Sequence, residues 1–108
     1  MKESIKQKLE SLVDRHEEIA GLLAEPETMA DQNKFRSLSQ EYAQLEPVVS
    51  NFNAYRDTLT DIDDARLMLE EDDAEMREMA KDELAQAEDK LDDLELTLQK
   101  LMMPKDPN

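Results

Sequence analysis

The chain has 108 residues, enough for one small domain with a modest core. Its 28 acidic residues outnumber 13 basic ones, which gives a net charge of -15. A field of this sign repels bare phosphate backbones, so nucleic acid alone is a poor partner. The absence of cysteine excludes disulfides and thiolate metal sites.

The charge is distributed unevenly along the chain. Residues 1–50 carry 6 basic and 10 acidic side chains (net -4), whereas residues 51–108 carry 7 and 18 (net -11). Hydrophobic residues make up 39% of the sequence and recur at helical spacing, which favours a folded chain over a disordered acidic tail. The N-terminal segment has no apolar stretch typical of a signal peptide, and no run is long enough for a membrane span. We therefore expect a cytoplasmic protein with no membrane partner.

Apolar spacing predicts a first helix near the N-terminus, and the single glycine of the chain argues against a fold rich in strands and turns. Ser4 and Gln7 match a capping box at its start. The helix should end near Ala24, because Glu25 precedes Pro26 and a residue before proline is disfavoured in helical conformation. The residues of its apolar face are Ile5, Leu9, Leu12, Val13, His16, Ile19, Ala20 and Leu23.

A second, longer helix has two possible starts. Thr28 and Asp31 form a capping-box pattern, and Asp31 is also a good N-cap residue by itself, so both starts remain open. Its apolar stripe keeps one phase over nine positions, with Tyr55 and Arg66 near the edge of the stripe. Those positions are Phe35, Leu38, Tyr42, Leu45, Val49, Phe52, Leu59, Ile62 and Leu69.

Pro47 lies inside this stripe and should cost about 3 kcal/mol in a helix interior. The apolar phase does not shift across it. The pattern is therefore compatible with a kinked continuous helix, or with two collinear helices in which Pro47 occupies the first turn of the second.

The acidic tetrad at residues 70–73 predicts a turn, because carboxylates favour the N-terminal end of the helix that follows. A third stripe then steps by threes and fours, as a coiled-coil seam does, until Pro104 ends it. Residues 104–108 carry two prolines and are predicted to begin a linker. The third stripe consists of Met76, Ala80, Leu84, Ala87, Leu91, Leu94, Leu98 and Leu101.

These elements predict an all-α fold, an elongated antiparallel three-helix bundle with a long, coiled-coil-like helical hairpin. The helical domain should cover residues 1–103, and 104–108 should lead toward further domains. A narrow core of Leu, Ile, Val and Met is expected, with few aromatic residues.

No pattern of catalytic, cofactor-binding or metal-binding residues is present, so we expect no enzyme and no cofactor. His16 is the only histidine, lies on the apolar face of its helix and has no second histidine at metal-ligand spacing, which favours a structural role. The acidic clusters at 61–64 and 70–75 lack the glycine that a calcium loop requires. We interpret them as a solvated face and a turn.

Two residue pairs are candidates for contacts with partners. Lys34 and Arg36 are cations at the start of the second helix, where they are able to contact a phosphate, although a solvated surface is the favoured interpretation of both. Met102 and Met103 are adjacent, so they cannot both face one seam, and one of them is expected to dock on structure beyond this chain.

Four stretches resemble the N-terminal domain of the bacterial peptide chain release factor one family. They are RHEEIAGLL at 15–23, SLSQEYAQLEPVV at 37–49, EMREMAKDEL at 75–84 and LMMPKDPN at 101–108. EMREMAKDEL and PKDPN are the specific parts, since leucine stripes match any coiled coil. The same two stretches are less similar to the sister factor that reads UGA.

The resemblance implies a full-length factor that reads the stop codons UAA and UAG and triggers release of the nascent peptide. The family's codon-reading tripeptide and Gly-Gly-Gln motif belong to later domains, and Gly21 is the only glycine here, so no catalytic residue is carried over. The family further implies that this domain reaches the stalk base of the large ribosomal subunit, near a GTP-hydrolysing release factor. The ribosome and the remaining domains of the same factor are then its partners.

The main alternative is a free-standing coiled-coil adaptor or structural protein whose seams close with a partner helix. An enzyme is disfavoured because no constellation of residues supports one. If the chain is a release factor domain, its net charge favours contact with a ribosomal protein over contact with RNA. The fragment is also expected to self-associate through apolar surface that the rest of the factor covers.

Overall fold

A computed structural model describes residues 1–103. It contains four helices and no strand within that range, which confirms the predicted all-α fold. The predicted linker at 104–108 lies outside the described residues. The helices are α1 (Glu3–Leu23), α2 (Pro26–Ala30), α3 (Gln32–Met68) and α4 (Ala74–Met102).

The chain divides into two compact units, Met1–Ser50 and Asn51–Asn108. The first unit contains α1, α2 and the first half of α3, and the second unit contains the rest of α3 and α4. The two units differ in charge, since residues 1–50 have a net charge of -4 and residues 51–108 a net charge of -11.

The start of α1 differs from the prediction. Its N-cap is Lys2, which has extended backbone geometry and makes no side-chain capping bond. The Lys6 amide donates to the Lys2 carbonyl at 3.1 Å, so the helix already includes Ser4, and the predicted capping box with Gln7 is wrong. The predicted end is confirmed, because α1 stops at Leu23.

The short helix α2 was not predicted from the sequence. It begins at Pro26, where a fixed φ suits the first helical position and the missing amide would have no helical partner. The preceding Glu25 has extended backbone, as expected before a proline. The described residues therefore contain four helices, whereas the sequence predicted three.

The structure also decides how α3 begins. Asp31 Oδ1 accepts a hydrogen bond from the Lys34 amide at 3.1 Å, which is the bond of an N-cap residue. The interpretation with Asp31 as N-cap is confirmed. The alternative capping box starting at Thr28 is wrong, because Thr28 belongs to α2 and is fully buried.

Helix α3 runs unbroken through Pro47. The interpretation as two collinear helices is therefore wrong. Val48 and Val49, which follow the proline, are 8% and 7% exposed, so the burial of this turn offsets the cost of the proline.

The predicted α3 stripe is confirmed at Leu38, Phe52 and Ile62, which are buried, but is wrong at two other positions. Phe35 is 41% exposed and Leu59 is 37% exposed, although the stripe placed both in the core. Because the first half of α3 packs against α1 and the second half against α4, the buried face changes along the helix. The side chains buried in the second half are spaced by threes and fours and are Phe52, Tyr55, Thr58, Ile62 and Ala65.

The turn between α3 and α4 is where the acidic tetrad predicted it. Helix α3 ends at Met68, and Asp73 caps α4 by accepting a hydrogen bond from the Glu75 amide at 2.9 Å. The Arg77 guanidinium donates from Nη1 to the carbonyls of Glu71 (2.7 Å) and Asp72 (2.9 Å). Arg77 therefore holds the turn from the first turn of the next helix.

In the second unit, α4 runs antiparallel to the second half of α3. Glu95, late in α4, acts electrostatically on Tyr55, early in this half, whereas Glu83, nearer the turn, shares a groove with Asp61 and Asp64. The middle of the predicted α4 seam is buried or half-buried. Its two ends, Met76 and Leu101, are each 39% exposed, so the prediction of core positions is wrong there.

Candidate functional site

A bidentate ion pair joins α1 to α3 in the first unit. Arg15 donates from Nε to Glu41 Oε2 at 2.7 Å and from Nη2 to Glu41 Oε1 at 2.9 Å, and its Nη1 also contacts Glu18 on α1. The hydrogen bonds to Arg15 lower the pKa of Glu41, and the hydrogen bond to Glu41 raises the pKa of Arg15. Arg15 and Glu41 lie at similar distances from the connection between the helices, so the two segments are antiparallel.

His16 makes the neighbouring contact between the same two helices. Its Nε2 lies 2.7 Å from Glu46 Oε2, and its ring stacks on Tyr42 with centroids 4.2 Å apart and an angle of 17°. These contacts give His16 the structural role predicted for it. Within residues 1–103, no group of three or more histidine or carboxylate side chains converges as a metal site does.

The two predicted pairs of contact residues belong to different units. Lys34 and Arg36 lie in the first turns of α3 in the first unit, and both are exposed. Two residues advance about 200° around an α-helix, so the two cations point to different sides of α3. A single phosphate therefore contacts one of them more readily than both.

Met102 and Met103 end α4 in the second unit. Met102 is half-buried as the last helical residue, whereas Met103 has extended backbone and is 68% exposed. The two adjacent methionines thus differ in burial. Met103 is the member of the pair that offers an apolar surface to a partner.

A groove of about 430 Å³ lies between α3 and α4 in the second unit. Asp61 and Asp64 form its α3 side, and its α4 side carries Glu83 and the opposite charge of Lys90. Its full lining is Asp61, Asp64, Glu83, Gln86, Ala87 and Lys90. The sequence pattern of residues 61–64 indicates a solvated face and does not predict the groove. Polar residues recur at helical spacing next to the core positions of both helices, and this pattern is the sequence signal for such a groove.

Next to this groove in the chain, Phe52 and Tyr55 form an aromatic pair with ring centroids 6.3 Å apart. The Arg56 guanidinium lies 4.6 Å from the Phe52 centroid and also donates to Asn53. Burial, with a smaller effect of the Glu95 charge, raises the pKa of Tyr55. A phenol held neutral in this way is a packing group and not a nucleophile.

The described surface thus offers acidic and apolar contact groups on a helical scaffold. A family model, the PCRF domain, matches residues 12–108 and so covers most of the chain. The chain belongs to this family, that of the class I peptide chain release factors. This membership assigns it to translation termination and implies interaction with the ribosome.

The PCRF domain is a translation-factor domain and not of an enzymatic type. The family match begins at Leu12, inside α1, and includes both members of each helix-joining contact, Arg15 with Glu41 and His16 with Glu46. It also includes both walls of the acidic groove. None of the helices in residues 1–103 is both long and apolar enough to cross a membrane.

Proposed function

We propose that this chain is the N-terminal ribosome-docking domain of a termination factor that, at full length, reads UAA and UAG and triggers release of the nascent peptide. The family match over residues 12–108 carries this proposal. The release chemistry is assigned to other domains, because a Gly-Gly-Gln motif needs two adjacent glycines and Gly21 is the only glycine in these residues.

The docking partner in this proposal is a basic protein at the stalk base of the large subunit. The net charge of -11 in residues 51–108 attracts a basic protein and repels bare RNA. Charges of this kind contribute more to the rate and orientation of encounter than to final affinity. The domain is thereby positioned near the GTP-hydrolysing release factor, to which it is functionally linked.

Four residues are proposed as further contacts. Lys34 and Arg36 each contact a phosphate, and Met102 and Met103 dock on the remaining domains of the same factor. The exposed Met103 side chain supports the second assignment, since burying it removes apolar surface from water. The proposal also includes a cytoplasmic location, and self-association of the isolated fragment through such uncovered apolar surface.

The docking proposal is tested by sedimenting residues 1–108 with ribosomes at low and high salt. We expect weak binding that falls with salt, because surface charges are screened beyond about 8–10 Å at physiological ionic strength. Neutralising acidic residues of α4 should weaken binding at low salt. No binding at low salt, or binding unaffected by neutralisation, contradicts the proposal.

Stop-codon specificity requires the complete factor. A factor that carries this domain should release peptide at UAA and UAG but not at UGA, and purified residues 1–108 should release none. Release at UGA by the complete factor, or any codon-dependent release by the fragment, contradicts this part of the proposal.

A further inference from the structure

One face of α4 carries the groove and continues past it toward the turn. Glu83, Gln86 and Lys90 line the groove at spacings of three and four residues. Met79 and Met76 extend the same pattern toward the N-terminus of α4, with spacings of four and three. Residues at these spacings lie on one side of a helix, so the polar groove continues into a methionine surface.

The side chains of this face are available for binding. Met79 is 57% exposed and Met76 is 39% exposed. Within residues 1–103, the charged groups of the groove have no hydrogen bond or ion pair, so Lys90 does not neutralise Asp61, Asp64 or Glu83. Three free carboxylates and one free ammonium leave a net negative groove beside exposed apolar surface.

We propose that this groove binds a basic amphipathic helix of a protein partner. The apolar side of that helix covers Met76 and Met79, and its cations face Asp61, Asp64 and Glu83. Methionine suits such a surface, because its flexible thioether adapts to differently shaped apolar partners. This inference rests on the proposed function in one respect, since it names the surface and the partner chemistry by which the domain docks.

The dimensions and the charge of the groove agree with this occupant. From Met76 to Lys90 the face extends about 21 Å at 1.5 Å per residue, which accommodates about four turns of a bound helix. A second copy of this chain is the poorer occupant, because two chains of net charge -15 repel each other. An RNA is excluded by the same sign of charge.

The test uses residues 1–108 and a labelled 18-residue peptide of leucine and lysine arranged as an amphipathic helix. Binding is followed by fluorescence anisotropy at low and high salt. A peptide of the same composition in scrambled order keeps the charge but loses the apolar side. We expect the amphipathic peptide to bind at least about tenfold more tightly than the scrambled one.

Two matched pairs of variants locate the binding surface. The groove is tested with the triple variant Asp61→Asn/Asp64→Asn/Glu83→Gln, which should weaken binding about tenfold at low salt. The control is the triple variant Glu88→Gln/Asp89→Asn/Asp92→Asn, which changes the net charge equally but outside the groove. The control should weaken binding about twofold or less. Met79→Gln should weaken binding, whereas Leu96→Gln, at a similarly exposed site of α4 away from this face, should not. Far-ultraviolet circular dichroism checks that each variant keeps its helices.

Equal effects of the two triple variants, no effect of Met79→Gln, or equal binding of the two peptides would each overturn the inference. So would a dimer, detected by sedimentation, that the groove variants dissociate, because the occupant would then be a second copy. Ribosome sedimentation separates the two proposals. Peptide binding without ribosome binding overturns the proposed function alone, and ribosome binding that the groove variants leave intact overturns this inference alone.

Discussion

The two units share helix α3 but fix their helices by different means. In the first unit, Arg15 and His16 on α1 reach Glu41 and Glu46 on α3, so polar groups define the pairing of the helices. In the second unit, the charged residues of the groove form no hydrogen bond or ion pair within the described range, which ends at residue 103, and Asp73 and Arg77 instead fix the turn between α3 and α4.

The two units therefore use surface charge in different ways. Partly exposed ion pairs contribute little free energy, but a bidentate pair such as Arg15 with Glu41 selects one register of two helices. Carboxylates that are not used in this way stay available to a partner. The unit with the larger negative charge is accordingly the one in which we place the docking surface.

The largest expected effect concerns the apolar core of the second unit. Leu98 is fully buried, so Leu98→Ala should lower the free energy of unfolding by about 2–5 kcal/mol. Urea unfolding followed by circular dichroism at 222 nm measures it. Leu96→Ala is the matched control, because Leu96 is 52% exposed on the same helix and should change stability by less than about 0.5 kcal/mol. Equal effects would contradict the burial of Leu98.

Each unit has a buried threonine, and the two threonines differ in their hydrogen bonding. Thr28 in the first unit has a buried Oγ1 without a hydrogen-bond partner in the described part of the chain, whereas Thr58 in the second donates to the Ala54 carbonyl at 2.7 Å. Thr28→Val should therefore stabilise the protein by about 1 kcal/mol, and Thr58→Val should not stabilise it. Thermal unfolding of both variants decides the comparison. Destabilisation by Thr28→Val would mean that its hydroxyl does have a partner.

The turn of the second unit should depend on Arg77. Arg77→Gln removes two charge-assisted hydrogen bonds to the carbonyls of Glu71 and Asp72, with an expected cost of about 1 kcal/mol. Arg77→Lys keeps the charge without the guanidinium fork and should recover part of the loss. Amide hydrogen exchange at residues 69–73 should accelerate in the glutamine variant. Unchanged hydrogen exchange at these residues would contradict the role of Arg77 in holding the turn.

The smallest expected effect is a pH dependence in the first unit. The folded-state pKa of Glu41 is lowered from its ordinary value of 4.5, so its contribution to stability is present above pH 4.5 and is lost as the pH falls through the folded-state pKa. Glu41→Gln should remove this part of the acid dependence, measured as unfolding free energy against pH. The exposed Glu17→Gln, with the same charge change, should retain it. Identical acid profiles for wild type and Glu41→Gln would contradict the pKa direction.

Local signals predicted much of the fold. Asp31 as N-cap, the end of α1 before Pro26 and the acidic turn before α4 each follow from the backbone needs of a few neighbouring residues. The capping box at Ser4 failed because nothing in the local pattern prevented the helix from starting two residues earlier. Helix α2 was missed because five residues are too few to show an apolar period.

The candidate site was less accessible to sequence reasoning. The site is formed by residues that are far apart in the chain. Examples are the contacts of His16 with Tyr42 and Glu46, and the groove between Asp64 and Glu83. The periodicity of one helix does not indicate which residues of another helix it contacts. The single apolar phase predicted for α3 was wrong at Leu59 for the same reason. Its buried face depends on which helix it packs against, and that partner changes from α1 to α4.

The amino-acid sequence alone indicates the all-α class, the turn at the acidic tetrad, the asymmetry of charge and the resemblance to a release factor domain. These follow from composition, local backbone chemistry and short motifs. Tertiary packing, by contrast, makes α3 continuous through Pro47, leaves Leu59 exposed and leaves the carboxylates of the groove without a partner among residues 1–103. Those outcomes depend on the burial of Val48 and Val49 and on the pairing of distant helices, which no single stretch of sequence contains.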